Sequence, residues 1–521
     1  MKTVTMTLAG AAAIALAAPA TAQSMPGMNM PGMAMPHHSA PPNKRSVANK
    51  TVVKKKTTAK KLKSAPPAAK PNPVDHSTMD HSSMPGMTMP ATTSPSGGQM
   101  TMDHGAMPGM TMPAAPEAPM DHSAMDHAAM THPAMPGMDH MMAMRAALGR
   151  YPSTRESSGT AWQPDASEHS GVMAMAGDWM LMGHARLNAV YDTQGGPRGD
   201  DMGFVSGMVM GMAQRPLGPG TLQFKAMLSP DPLMGKRGYP LLLASGETAD
   251  GVTPLVDRQH PHDLFMELSA SVSQPVGPNA SAFLYAALPG EPAFGPPAFM
   301  HREAVLDSPE APISHHWLDS THISFGVLTG GLVLGNAKLE VSRFNAREPD
   351  QYRYNIETGP LDSTAIRLSW NPNANWSLQA SWGRFKHPEQ LEPDANQTRW
   401  SASALYARDL GPGHLSATLA WGRKSHDGRR LDALAGELGY RVDDWTLFGR
   451  AEWTENDELV EGVTANVGKL SAGAIRDFAL APHVKVGLGG LVARNVVPAS
   501  LDAAYGGDRN GAMAFVRLKI D

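Results

Sequence analysis

The sequence predicts an all-β protein: an antiparallel transmembrane β-barrel of roughly 14–16 strands, preceded by a disordered Met/His-rich segment. Three observations carry this reading. From about Trp179 onward, apolar and polar residues alternate over runs of about ten residues, the period of a half-buried strand. After the N-terminus no stretch reaches the ~18 to 20 apolar residues of a membrane helix. Methionine is concentrated before the strands begin: 22 of the 37 Met and nine of the 21 His lie between residues 24 and 144.

The 521 residues contain no cysteine, which excludes disulfides, thiolate metal sites, iron–sulfur clusters and Cys nucleophiles. A net charge of -4 gives no sign of a nucleic-acid partner. Residues 1–22 read as an export signal. Lys2 supplies the positive start, an apolar run spans Met6 to Ala18, and Ala20-Thr21-Ala22 is a small-x-small cleavage site. The expected location is the outer membrane, with the periplasm as the alternative.

Residues 23–150 form the predicted arm. Pro and Gly recur every few residues and large aliphatics are scarce, so the segment cannot bury enough apolar surface to offset chain entropy. Met-Pro-Gly-Met repeats place Met25, Met28, Met30, Met33, Met84, Met87, Met107, Met110, Met135 and Met138 at close spacing, with Met35, Met89 and Met112 beside them. Met-Asp-His repeats add Met79 and His81, Met102 and His104, Met120 and His122, Met125 and His127, and His140 after Met138. His37, His38, His76 and His132 lie among them. Thioethers favour Cu(I) and imidazole suits both copper states, so the expected cargo is copper, with silver possible. Zinc would not select methionine. Filler methionine at adaptable surfaces is the bland alternative, and ten repeats of two linked types outweigh it. The Lys-rich stretch from Lys44 to Lys70 reads as a solvated spacer, with anionic lipid or envelope polymer as the other candidate contact.

Residues 170–521 form the predicted barrel. Trp400, Ala402, Ala404 and Tyr406 alternate with Arg399, Ser401 and Ser403, and Trp376, Leu378, Ala380 and Trp382 alternate with Ser377, Gln379, Ser381 and Gly383. Aromatics at strand ends suit the girdles of a membrane barrel. Asn371-Pro372-Asn373, Gly411-Pro412-Gly413 and Asp427-Gly428 are turn signals. The final strand, Ala512 to Ile520, alternates in the same way, although the chain ends Ile520-Asp521 where such barrels usually end on an aromatic. A soluble exported β-sandwich would also alternate.

Two groups inside the β part are candidate metal ligands. Met180, Met182 and His184 share one strand face, and Met208, Met210 and Met212 share another. Facing the lumen they form a soft-metal track; facing lipid or a core they are filler. In the loops, His260 and His262 stand two apart in Asp257–Asp263, and His315, His316 and His322 form a second set with Asp319. Imidazole with carboxylate binds transition metals. Gly-x-Ser-x-Gly and His-Glu-x-x-His are both missing from the sequence, and no catalysis is expected.

The Met-Pro-Gly-Met and Met-Asp-His repeats after a signal peptide resemble the N-terminal extension of the outer-membrane copper-resistance protein B family. That resemblance covers about a quarter of the chain and implies copper tolerance, with ligation confined to the repeat Met and His. The strings Asp257–Asp263, His315–Ile323 and Gly511–Ile520 resemble an uncharacterised group of barrel-like envelope proteins found with copper-resistance systems. Expected partners are outer-membrane lipid and periplasmic copper-handling proteins, with no nucleic acid. The function read from these observations is copper binding and tolerance by sequestration or transfer. A soluble periplasmic copper store and a general porin with an incidental arm are the alternatives.

Overall fold

The computed structural model describes residues 146–168 and 171–521. The signal segment, the predicted arm up to residue 145 and all of its candidate ligands lie outside the described residues.

Nineteen strands are present among the described residues. They are β1 (Val172–Ala176), β2 (Trp179–Gln194), β3 (Asp201–Leu217), β4 (Gly220–Leu228), β5 (Tyr239–Thr248), β6 (Pro254–Gln259), β7 (Phe265–Gly277), β8 (Ala280–Ala287), β9 (Val327–Leu334) and β10 (Ala337–Phe344). The second half comprises β11 (Ser363–Asn373), β12 (Trp376–Lys386), β13 (Asn396–Leu410), β14 (Gly413–His426), β15 (Arg429–Val442), β16 (Trp445–Val460), β17 (Val463–Ala481), β18 (Val484–Val496) and β19 (Asn510–Ile520). Sixteen of them close an antiparallel barrel, in the order β2-β3-β4-β7-β8-β9 and then β10 through β19. β19 closes the ring on β2, with Ile520 opposite Ala185. β1 continues that edge, with Val172 opposite Gly183. β5 and β6 form a separate two-stranded sheet.

The alternation sorts the two faces of the wall. Leu419, Leu438, Leu470, Leu488 and Val492 are exposed on the outside, while Arg399, Lys424, Glu437, Arg450 and Lys469 are buried on the inside. Exposed Trp370, Trp376 and Trp445 lie near one rim, and Trp400 and Tyr191 lie toward the other. An apolar outer belt with aromatic borders around a closed ring satisfies every backbone group without water, as a spanning sheet must. The chain is an outer-membrane β-barrel.

The two rims differ. At the rim holding the chain end, every hairpin connection has two residues: 218–219, 278–279, 335–336, 374–375, 411–412, 443–444 and 482–483. Gly218, Gly335 and Gly411 take positive φ there (60°, 61° and 60°), the twist that two-residue hairpins need. The other rim carries the long connections, including 229–264, 288–326 and 345–362. Short turns mark the periplasmic side of such barrels.

The long connections turn inward. Trp317 packs against Ala420, Leu431, Ala433 and Ala435 of the inner wall. Tyr239 stacks on Phe204 of β3 with ring centroids 4.4 Å apart. Residues 146–168 fill the short-turn half. Ala166 donates to the Ala374 carbonyl at 2.9 Å, Arg150 to Pro278 at 3.2 Å and Arg155 to Gly335 at 3.3 Å, all at turns of that rim. This stretch spans the sequence boundary between arm and barrel and serves as an internal plug.

Candidate functional site: imidazoles and thioethers in the barrel lumen

The inward loops bring the histidines of two distant sequence groups together. His260 and His262 follow β6, which Asp257 anchors. Its Oδ1 accepts from the Leu243 N–H at 2.7 Å and from the Tyr505 hydroxyl at 2.9 Å. His315 and His316 begin one helical turn, His315–Leu318, and His322 ends the next turn, Ser320–His322. Ring centroids are 5.1 Å apart for His262–His322 and His315–His322, and 5.5 Å for His315–His316 and His260–His316. His260 and His315 lie 6.0 Å apart. Phe299 closes one side, 5.5 Å from His315 and 5.9 Å from His262.

A second layer of oxygens holds these rings. The Nδ1 of His262 meets Asp231 at 2.8 Å, that of His315 meets Asp319 at 2.8 Å, and that of His316 meets Glu348 at 3.2 Å. The Nδ1 of His322 meets the Asp319 carbonyl at 2.7 Å. An imidazole that donates from Nδ1 keeps its lone pair on Nε2, the arrangement found behind metal-ligating histidines. The Nε2 atoms of His262, His316 and His322 are buried and have no hydrogen-bond partner among the described residues. His260 differs, its Nε2 lying 3.1 Å from Glu247.

Arg302 locks the layer in place. Its guanidinium is fully buried and bonds Asp319 at 2.6 Å and Glu437 at 2.8 Å. Burial alone would raise the Asp319 carboxyl, but Arg302 and then His315 hold it well below the usual carboxylate range. Burial pushes His260 and His322 well below the ordinary imidazole value and lowers His315 against the pull of Asp319. His316 is raised, because Glu348 outweighs its burial. Most of the cage is therefore neutral at pH 7, the state that coordinates metal.

Two other groups bring three ligand atoms within 4.8 Å of one another: Glu168, Asp409 and His414 at the short-turn rim, and Glu392, His426 and Asp427 at the opposite rim. The five imidazoles are neighbours ring to ring but have not closed to that distance.

The methionines of β2 and β3 face the lumen. Met182 stands opposite Met212, His184 opposite Met210, and Arg186 opposite Met208. Met210 is in turn opposite Met227 of β4. Met180, opposite Gln214, is half-buried at the start of this row. Met182, Met210, Met212, His184 and His301 line a cavity of about 100 Å³. Met208, Met300, His260, His262 and Phe299 line a second cavity of about 60 Å³, and Arg186 and Leu306 border both. Sequence spacing located the five loop histidines and the two methionine faces. It missed Asp231, Glu247 and Glu348, whose partners are 13 to 32 positions away. It also left Met300 and His301 unassigned.

No family model and no curated protein matches this chain. Solved outer-membrane structures are similar in part. The anion-selective porin from Comamonas acidovorans is 12% identical with a TM-score of 0.39, covering 66% of this chain and 98% of that one. OmpF of Salmonella typhi, in complex with daunomycin, is 11% identical with a TM-score of 0.44, covering 67% and 100%. The outer membrane channel DcaP of Acinetobacter baumannii is 12% identical with a TM-score of 0.39, covering 68% and 100%.

Proposed function

We propose that this outer-membrane barrel is a copper-binding protein: its arm captures the ion and the imidazole cage in the lumen holds or relays it. One observation carries the reading. Oxygen acceptors pin four of the five imidazoles through Nδ1, and three of those four leave a buried Nε2 without a partner among the described residues. A buried polar atom without a partner costs about 1–3 kcal/mol, so three in one cage call for a ligand. Two imidazoles on one ion, bonded at about 2.0–2.1 Å, have ring centroids about 5 Å apart, near the spacing seen here. Imidazole and thioether lining, with no thiolate, suits copper and silver above harder ions. The arm's repeats supply many weak sites on one chain, so capture stays fast and local concentration high. The chemistry is ligand exchange, and no covalent step is required.

The test is a copper titration of three full-length mature chains in detergent: the native sequence, one with the arm's Met and His replaced by Leu and Asn, and that chain with His315→Ala and His322→Ala added. The reading requires tight binding to survive arm replacement and to fall with the cage. If all binding leaves with the arm, the lumen is not a copper site.

A second reading, a general solute channel, has its own support. Arg186, Arg441 and Arg517 converge on Asp307 of the inward loop, with Arg186 and Arg441 each 4.0 Å away. Such a charged cluster in the lumen suits selection of small ions. Solute conductance that is indifferent to copper and to the cage histidines would favour it.

A further inference from the structure

We propose that the inner face of β2, β3 and β4 carries a second site, distinct from the cage and selective for a soft monovalent ion, Cu(I) or Ag(I), built from Met208, Met210, Met227 and Met300 with His301. This deepens the copper reading and rests on it for the identity of the cargo.

The wall composition points there first. From Met180 to Asn188 on β2, Ser206 to Gln214 on β3 and Thr221 to Met227 on β4, every inward apolar side chain is methionine, and the others are polar or charged. A patch needed only for packing would draw Leu, Ile and Val as readily, with better-defined rotamers. The loop side does contribute Ile323 and Phe325, which pack against the methionines. The second pointer is donor spacing. The His301 Nε2 lies 3.4 Å from the Met227 sulfur. Two donors sharing one ion at bond lengths of about 2.3 and 2.0 Å sit about 3.5 Å apart at a tetrahedral angle. The third is the second-layer chemistry. Four of the five cage imidazoles meet carboxylates, which raise ligand basicity and favour divalent ions. The inward methionines of β2, β3 and β4 form a ladder of uncharged thioethers, which favour a soft d¹⁰ monocation.

Position gives the site a role. Met182 and Met212 lie toward the short-turn rim, Met210 and Met227 follow, and Met208 and Met300 border the cavity that His260 and His262 also line. The ladder therefore joins the periplasmic half of the lumen to the cage.

The test uses the full-length chain with its arm Met and His replaced, so that arm binding is silent, and Ag(I) as the probe. One tight Ag(I) equivalent is expected. Met208→Leu with Met227→Leu, which conserves volume, should weaken it at least tenfold. His315→Ala with His322→Ala should leave Ag(I) within twofold while lowering Cu(II) binding. Silver X-ray absorption on the unmutated lumen should report two or more sulfur neighbours, an outcome independent of how the variants fold. Ag(I) affinity unchanged by the leucine pair, or a nitrogen-and-oxygen shell without sulfur, overturns the site. In that event Cu(II) loss in the histidine variant would leave the cage reading standing, and Cu(II) binding unmoved there would instead remove the cage.

Discussion

Asp319→Asn separates the layer that holds the cage from the ligands themselves. Asp319 accepts from Arg302 at 2.6 Å and meets His315 Nδ1 at 2.8 Å, while its backbone carbonyl, which the substitution keeps, holds His322. The asparagine conserves volume but removes one buried charge. Breaking a buried ion pair costs about 3–5 kcal/mol. Because Arg302 retains Glu437 at 2.8 Å, the lower end, about 3 kcal/mol, is expected here. With a urea slope of about 3 kcal/mol/M, that shifts the unfolding midpoint down by about 1 M. The cage should also lose 10- to 100-fold in copper affinity, the usual cost of removing the partner behind a ligating imidazole. The assay pairs urea unfolding followed by tryptophan fluorescence with copper titration of the arm-replaced chain. Copper affinity within twofold of the parent, despite the lost stability, would mean that Asp319 does not orient a ligand.

Other perturbations test other links. Burial and a hydrogen bond shared with Asp350 push Glu357 up to about 8 in the loop 345–362. A carboxyl raised on folding binds more protons in the folded state, so stability falls as pH rises from about 4 through that value. Glu357→Gln should flatten the decline in urea midpoint between pH 5 and 8 that the native chain shows; parallel declines would contradict this. Leu419 is exposed at the middle of β14. Leu419→Arg should cost about 2–4 kcal/mol when the barrel refolds into bilayers, and a neutral result would mean that this face does not meet lipid. Removing the plug, residues 146–168, strips Thr160 from Arg367 and Lys338. Single-channel recording should then show higher conductance than the full chain, and equal conductance would show that the plug seals nothing.

The barrel was legible because period-two alternation is local and repeated. Arg399, Ser401 and Ser403 point inward and Trp400 outward, as their spacing implies. The sequence expectation of fourteen to sixteen strands meets a ring of sixteen. The inward course of 229–264 and 288–326 was not legible. Their histidines read as loop residues, and what draws the loops inward lies far away in sequence: apolar contacts such as Trp317 with Leu431, and the charged inner wall. Arg450 and Lys469 need acceptors such as the Glu310 carbonyl and carboxylate. The histidine pairs were visible as strings, but their meeting depends on contacts across more than 50 positions, such as His260 with His315. Asp319 was found because it stands in the same short string as His315 and His316, and the structure places it four residues on, at the end of one helical turn. Asp231 and Glu348 were missed because no local period links them to His262 and His316. The methionine faces were legible, and register decided between lumen and lipid: Arg186 opposite Met208 places that row inside.

The most direct measurement of the central claim is the Cu(II) electron paramagnetic resonance spectrum of the full-length chain with its arm ligands replaced. The expected spectrum is a protein-bound signal with superhyperfine splitting from at least two imidazole nitrogens, reduced by His322→Ala. A spectrum of aquated copper, or a bound signal unchanged by His322→Ala and His315→Ala together, would contradict it.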